Sequence, residues 1–164
     1  MPPTLTSRAR FTSWRMAVVF AAGVFITGMI VSFAGITANP TGVFIPENVP
    51  ALTLPSWIFW VVWLVIYPCM GVATWCIWRL RQQADVSIPL VLFTVTLLQN
   101  FSFWLSTNVA MTTVIDATGL LLAYTLAWVY GWNDKAAACW LAPLLVWMPI
   151  TTLFKVWLWM MNIV

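Results

Sequence analysis

Five long runs of apolar residues, separated by short polar or proline-rich stretches, constrain this chain more than any other feature. A bilayer core of about 30 Å needs roughly 20 apolar residues in a helix, because every backbone polar group there must be bonded within the segment. Only 7% of the 164 residues are charged, against roughly 25% in soluble domains. The sequence therefore predicts one all-α integral membrane domain over residues 1–164, a bundle of five transmembrane helices. The expected spans are residues 16–36, 57–78, 88–105, 109–130 and 136–161.

The first run and the stretch that follows it need separate interpretation. The first run is longer than the roughly 7–15 residues of a signal-peptide core, so we expect a retained helix. Thr37 to Ser56 then carries four prolines among polar residues and cannot be one helix. We expect a long loop between helices 1 and 2, outside the hydrocarbon, that acts as a lid over that end of the bundle.

Basic residues fall on one side of this predicted topology. With five crossings, the N-terminal tail and the second-to-third and fourth-to-fifth loops share a side, whereas Glu47 lies alone in the long loop on the other side. The positive-inside rule then places the N-terminus in the cytoplasm and the C-terminus outside. The basic side holds Arg8, Arg10, Arg15, Arg79, Arg81 and Lys135. Charges this few and scattered make no nucleic-acid surface.

The side chains that most catalysis and metal binding require are scarce. Histidine, the commonest general base and metal ligand, is absent. Cys69 and Cys76 stand about 10 Å apart along one helix, and Cys139 is remote in sequence, so neither a disulfide nor a CxxC site is predicted. We expect no metal site, no required cofactor and no catalytic residue, although an enzymatic activity that needs none of these groups stays open.

Two of the runs carry patterned aromatic, proline and glycine residues. The second run contains Pro55, Trp57, Phe59, Trp63, Tyr67, Met70 and Gly71, and the fifth contains Pro143 and Trp147, followed by Asn162. In spacing and order these residues resemble the second-helix and fifth-helix signatures of the TspO/translocator protein family, the tryptophan-rich sensory proteins. The chain departs from the family pattern at Leu54, Leu144, Trp104 and Lys155, the last standing where the family has an asparagine.

The resemblance implies a pocket among the helices, beneath the first loop, for a flat lipophilic ligand such as a porphyrin or another tetrapyrrole. Indole faces suit a macrocycle, while Asn100 and Tyr67 would orient it by hydrogen bonds. The alternative for any single Trp is a place in the core or in the membrane-interface belt, but Trp63 and Trp147 lie too deep for the belt. The implied lining is Trp57, Trp63, Tyr67, Asn100, Trp104, Trp147 and Thr151.

Two opposite charges interrupt the fourth and fifth runs at matching expected depths. Charged side chains within a membrane are costly, so they are usually paired or functional. Asp116 and Lys155 are therefore expected to pair across these two helices. The alternatives are that Lys155 snorkels to the nearby boundary or contacts a ligand carboxylate.

Three functions from different classes remain open on the sequence. The resemblance implies binding, sensing or transport of a tetrapyrrole-like ligand. The alternatives are an accessory subunit of a larger, pigment-containing membrane complex and a Trp-dependent enzyme that degrades porphyrins. The expected partners are the lipid bilayer and a lipophilic small molecule. Small residues such as Ala21 and Gly28 permit close helix packing, either within the bundle or in a homodimer.

Overall fold

The computed structural model describes residues 7–38, 56–102, 106 and 108–162, and the regular structure of these residues is helical. The predicted lid and Trp104 therefore lie outside the described residues, apart from the ends of the lid. Six α-helices follow one another along the described chain. They are α1 (Ser7–Ala38), α2 (Ser56–Trp78), α3 (Ser87–Phe101), α4 (Val109–Asn133), α5 (Lys135–Trp140) and α6 (Ala142–Met161).

Four of the described helices contain a segment long and apolar enough to cross a bilayer. These segments are Trp14–Ala34, Trp57–Trp78, Val109–Asn133 and Ala142–Met161. The shorter α3 has 15 described residues, which extend about 22 Å at a rise of about 1.5 Å per residue. The end of the third predicted span, residues 103–105, lies outside the described part. The chain is an all-helical, multi-pass membrane protein.

The fifth apolar run is interrupted at Leu141, where the sequence predicted one continuous helix over residues 136–161. The Leu141 N–H donates to the Ala138 carbonyl at 3.0 Å, which tightens the end of α5. Pro143 lies in the first turn of α6 and has no N–H to offer the Cys139 carbonyl. The regular helical hydrogen-bond pattern is therefore interrupted between α5 and α6.

Helices α1 and α2 pack so closely that their backbones approach each other directly. A Cβ added to Gly71 would lie 2.5 Å from the Phe20 carbonyl oxygen and 2.6 Å from the Ala21 Cα. A Cβ added to Gly28 would lie 2.5 Å from ring atoms of Tyr67. Both positions require glycine, because any larger residue would force the helices apart. Ala21 and Gly28 of α1 are thus used within the bundle, whereas the space around Gly23 is open in the described structure.

The remaining helices pack partly on α2 and partly on α4. Helix α5 packs against α2, whereas α6 packs mainly against α4 and touches α2 less, and α3 packs against α4. Tyr130 of α4 is fully buried, and its hydroxyl lies 3.2 Å from that of Thr74 on α2. The Thr74 hydroxyl donates to the Met70 carbonyl, so Tyr130 is the donor in this contact. On α3, Gln99 donates to the Ile115 carbonyl of α4 at 2.9 Å.

Candidate ligand-binding site

A gap lies between α2 and the start of α6. Helix α5 packs on α2, whereas α6 packs mainly on α4 and touches α2 less. The cleft between α2 and α6 is shallow and largely open, with a volume of about 360 Å³. Its lining is apolar and consists of Val62, Ala142, Pro143, Val146 and Trp147. Val146 is exposed, so the cleft faces the outside of the bundle.

Trp147 forms the inner wall of this cleft. Its side chain is only 6% exposed and packs edge-on against Phe59 of α2, with ring centroids 5.3 Å apart and an interplanar angle of 75°. The indole N–H of Trp147 is buried and has no hydrogen-bond partner among the residues that the structure describes. Most buried polar groups are bonded, and an unpaired one costs about 1–3 kcal/mol, so this donor needs an explanation.

Trp63 and Tyr67 form a second aromatic pair, one helical turn apart on α2. Their ring centroids are 4.9 Å apart. Tyr67 is 4% exposed, and the backbone of Gly28 lies flush against its ring. The Tyr67 side chain is also hydrogen-bonded to Ser32 of α1. Because Tyr67 is fixed on two sides, Trp63 has a rigid surface to stack on, and its own ring is only partly buried.

A polar seam joins α4 to α6 on the other side of Trp147. The Lys155 ammonium lies 3.4 Å from an Asp116 carboxylate oxygen, and the two side chains are only 11% and 13% exposed. The Thr151 side chain is also hydrogen-bonded to Asp116. The backbones take part as well, since Thr113 donates to the Lys155 carbonyl at 3.2 Å. The structure thus brings Asp116, Lys155 and Thr151 together.

Three residues on α6 share one face at a spacing of four. Trp147, Thr151 and Lys155 are all buried, and they span about 12 Å along the helix axis at a rise of about 1.5 Å per residue. This face runs from the unpaired indole N–H to the buried ion pair.

The other residues of the implied lining occupy different places. Trp57 is 62% exposed on the bundle surface, at the start of α2. Asn100 is partly buried, but its amide donates to the Thr96 carbonyl of its own helix at 2.8 Å. Trp104 lies outside the described residues. Several other tryptophans are exposed near helix ends, as interface anchors would be: Trp14, Trp78, Trp132 and Trp140.

Sequence reasoning did not name Phe59 as a site residue, although it stands in the second-helix motif. Its position four residues before Trp63 places both on one side of α2. Phe59 is the residue through which α2 contacts the Trp147 ring. Helical spacing from Trp63 was the available signal.

The family follows from comparison with known proteins. A sequence model of the TspO/MBR family matches residues 16–160. This chain belongs to the TspO/MBR family. Translocator protein 2 of Mus musculus is 30% identical to it over 112 residues, which cover 64% of this chain and 69% of the mouse protein.

Lys155 stands at a position where the sequence departs from the family pattern, and the structure shows what surrounds this residue. A residue with a long cationic side chain occupies this position on α6, and Asp116 lies opposite it on α4. The lysine therefore adds no net charge to the seam, because a carboxylate accompanies it. An ion pair of this kind is tolerated in a membrane bundle when both charges face inward.

Proposed function

We propose that this TspO/MBR protein binds a flat lipophilic ligand, a porphyrin or another tetrapyrrole, between its helices and serves as its receptor or carrier in the membrane. The buried indole N–H of Trp147, which has no hydrogen-bond partner among the described residues, carries the proposal. This N–H has almost no accessible surface, so a ligand with a nitrogen or oxygen acceptor would satisfy it after the indole ring shifts toward the cleft. The unpaired group would then contribute to affinity instead of costing stability.

The surroundings of Trp147 support an aromatic ligand of this kind. The neighbouring cleft has a volume of about 360 Å³, within the range of roughly 300–1,000 Å³ that is typical of small-molecule sites. Trp147 contributes an aromatic ring to the lining, Phe59 packs against that ring, and the rest of the lining is apolar. Because the cleft opens on the outside of a membrane bundle, we propose that the ligand enters from the bilayer, between α2 and α6.

Intrinsic Trp fluorescence tests the proposal, with protoporphyrin IX as the probe and the protein in detergent. Binding should quench the emission. Trp147→Phe keeps an aromatic ring but removes the N–H, and the loss of one hydrogen bond should weaken binding by roughly 2- to 10-fold. Trp132→Phe is the matched control, because Trp132 is 76% exposed and lies outside the cleft lining. It should leave the affinity unchanged.

Two outcomes would count against this assignment. Equal affinity in the wild type and in Trp147→Phe would remove the indole N–H from the site. No quenching in the wild type would favour the accessory-subunit alternative over a binding protein. Disappearance of the porphyrin absorption band in light, together with appearance of a new product, would instead favour the degrading enzyme.

We further propose five crossings, with the N-terminus in the cytoplasm. In this arrangement α3 is a short crossing and α5 and α6 together form the fifth, broken at Leu141. The basic residues at the shared end of α2 and α5 support the orientation. Reporter fusions at the C-terminus test it, since five crossings predict active alkaline phosphatase and a non-fluorescent, exported GFP. The reverse pattern would mean an even number of crossings or the opposite orientation.

A further inference from the structure

Two arginines at the end of α2 each lie over a tryptophan ring of the same helix, but they differ in their hydrogen-bond partners. The Arg79 guanidinium carbon lies over Trp75, 5.3 Å from the ring centroid. Arg79 donates from Nη2 to an Asp134 carboxylate oxygen at 2.6 Å. Asp134 also accepts from the Ala136 N–H at 2.8 Å and so begins α5. The charge of Arg79 is therefore neutralised within the bundle, where it ties α2 to the junction of α4 and α5.

Arg81 is held differently. Its guanidinium carbon lies 4.7 Å from the centroid of the Trp78 ring, and its Nη1 donates to the Trp78 carbonyl at 3.0 Å. The Trp78 ring is itself in contact with Phe20 of α1, with centroids 6.2 Å apart. Within the described residues, neither of the two ion pairs includes Arg81. Arg81 is thus an exposed cation fixed in position by an aromatic ring.

We infer that Arg81 and Trp78 form a binding site for the phosphate group of an anionic membrane phospholipid. A guanidinium group has five N–H donors in a fixed plane, and only one is used by the Trp78 carbonyl. The remaining donors match two oxygens of a phosphate. Stacking on Trp78 limits the rotamers of Arg81, so less conformational entropy is lost when the phosphate binds.

The location selects a lipid over a soluble phosphate. Trp78 is the last residue of α2 and is 36% exposed, so its indole stands where an apolar helix meets the polar turn. Trp and Arg at such a boundary meet the headgroup layer of the bilayer. The acyl chains of a lipid bound there would continue along the apolar surface of α1 and α2, which a free phosphate cannot use.

Native mass spectrometry of the full chain in detergent tests the inference, with dioleoyl phosphatidylglycerol and dioleoyl phosphatidylcholine as probes at equal concentration. One phosphatidylglycerol should bind with an affinity on the order of fivefold higher than phosphatidylcholine, the effect expected for one interfacial cation. Arg81→Gln should abolish the preference. Lys135→Gln, the matched control, removes an exposed cation at the same end of the bundle and should retain the preference.

Arg81→Lys distinguishes a specific phosphate-binding site from general electrostatic attraction to anionic lipid, because it keeps the positive charge but loses the planar guanidinium group. It should reduce the preference for phosphatidylglycerol, and it answers the question even if Arg81→Gln fails to fold. Soluble glycerol 3-phosphate in excess should not displace the lipid. Equal effects of Arg81→Gln and Lys135→Gln, a full preference in Arg81→Lys, displacement by glycerol 3-phosphate, or no preference in the wild type would each overturn the inference.

Discussion

The ion pair between Asp116 and Lys155 should behave as a buried unit. Lys155→Met removes the ammonium group and leaves Asp116 with the Thr151 hydroxyl as its side-chain partner. Asp116→Leu conversely leaves the ammonium of Lys155 without its carboxylate. Each single variant therefore leaves an uncompensated charge between α4 and α6. The double variant replaces both charges by apolar side chains of similar size.

The structure sets the expected size of these effects. The two side chains are only 11% and 13% exposed, so solvent cannot replace the lost partner. Breaking one side of a buried pair costs about 3–5 kcal/mol, whereas replacing the whole pair by apolar residues is often neutral or stabilising. At roughly 2–4 °C per kcal/mol for a chain of this length, each single variant should lower the Tm by about 6–20 °C. The double variant should recover most of that loss.

Thermal unfolding in one detergent, followed by circular dichroism, measures all three variants against the wild type. Arg79→Met in the other ion pair is the comparison variant. The Arg79 side chain is 47% exposed and its partner Asp134 is 14% exposed, so solvent reaches this pair at its arginine end and the loss of Tm should be smaller than in the Asp116 and Lys155 single variants. Additive losses in the Asp116 and Lys155 variants would refute the reasoning. Lys155 would then become a candidate for contact with a ligand carboxylate.

Two further predictions concern helix contacts, and the same unfolding assay measures both. Gly71→Ala should destabilise the bundle by about 1–3 kcal/mol, because the new Cβ would lie 2.5 Å from an α1 backbone oxygen. Gly119→Ala should cost less, since the nearest atom is the mobile end of Met148 at 3.0 Å; equal losses would contradict this packing argument. Tyr130→Phe should lose about 0.5–1.5 kcal/mol with its hydrogen bond to Thr74, and an unchanged Tm would mean that this bond contributes nothing.

The helices themselves were largely predictable from the sequence, because length and hydropathy determine which segments can cross a bilayer. The α2 span expected at residues 57–78 agrees with Ser56–Trp78 to one residue. The break at Leu141 was not predicted, since hydropathy is continuous across it. Its signal was local: Pro143 removes a backbone donor just beyond the break. The two segments also have different neighbours, since α5 packs on α2 and α6 mainly on α4.

That Asp116 and Lys155 lie at matching depths could also be predicted from the sequence. Asp116 and Lys155 lie on antiparallel helices, and a fixed rise per residue converts their distances from the helix ends into depth. The sequence did not show in the same way which face of each helix carries these two residues. Hydropathy marks the buried face of a soluble helix, but lipid is as apolar as a protein core and removes that contrast. Ile30 and Phe33 on α1 are exposed although they are strongly apolar, so hydropathy does not identify the buried face of this helix.

The same argument explains why the implied aromatic lining divides in the structure. Trp57 and Trp147 are chemically identical, yet one is 62% exposed and the other 6%. Nothing in an indole ring distinguishes a place facing lipid from a place facing another helix. Contacts that depend on residue size or on hydrogen bonding do distinguish a position that faces another helix. The close contact between Gly28 and the Tyr67 ring is an example. In a membrane bundle, unpaired polar atoms and obligatory glycines therefore locate a candidate site better than aromatic residues do, which is why the N–H of Trp147 carries more weight than its ring.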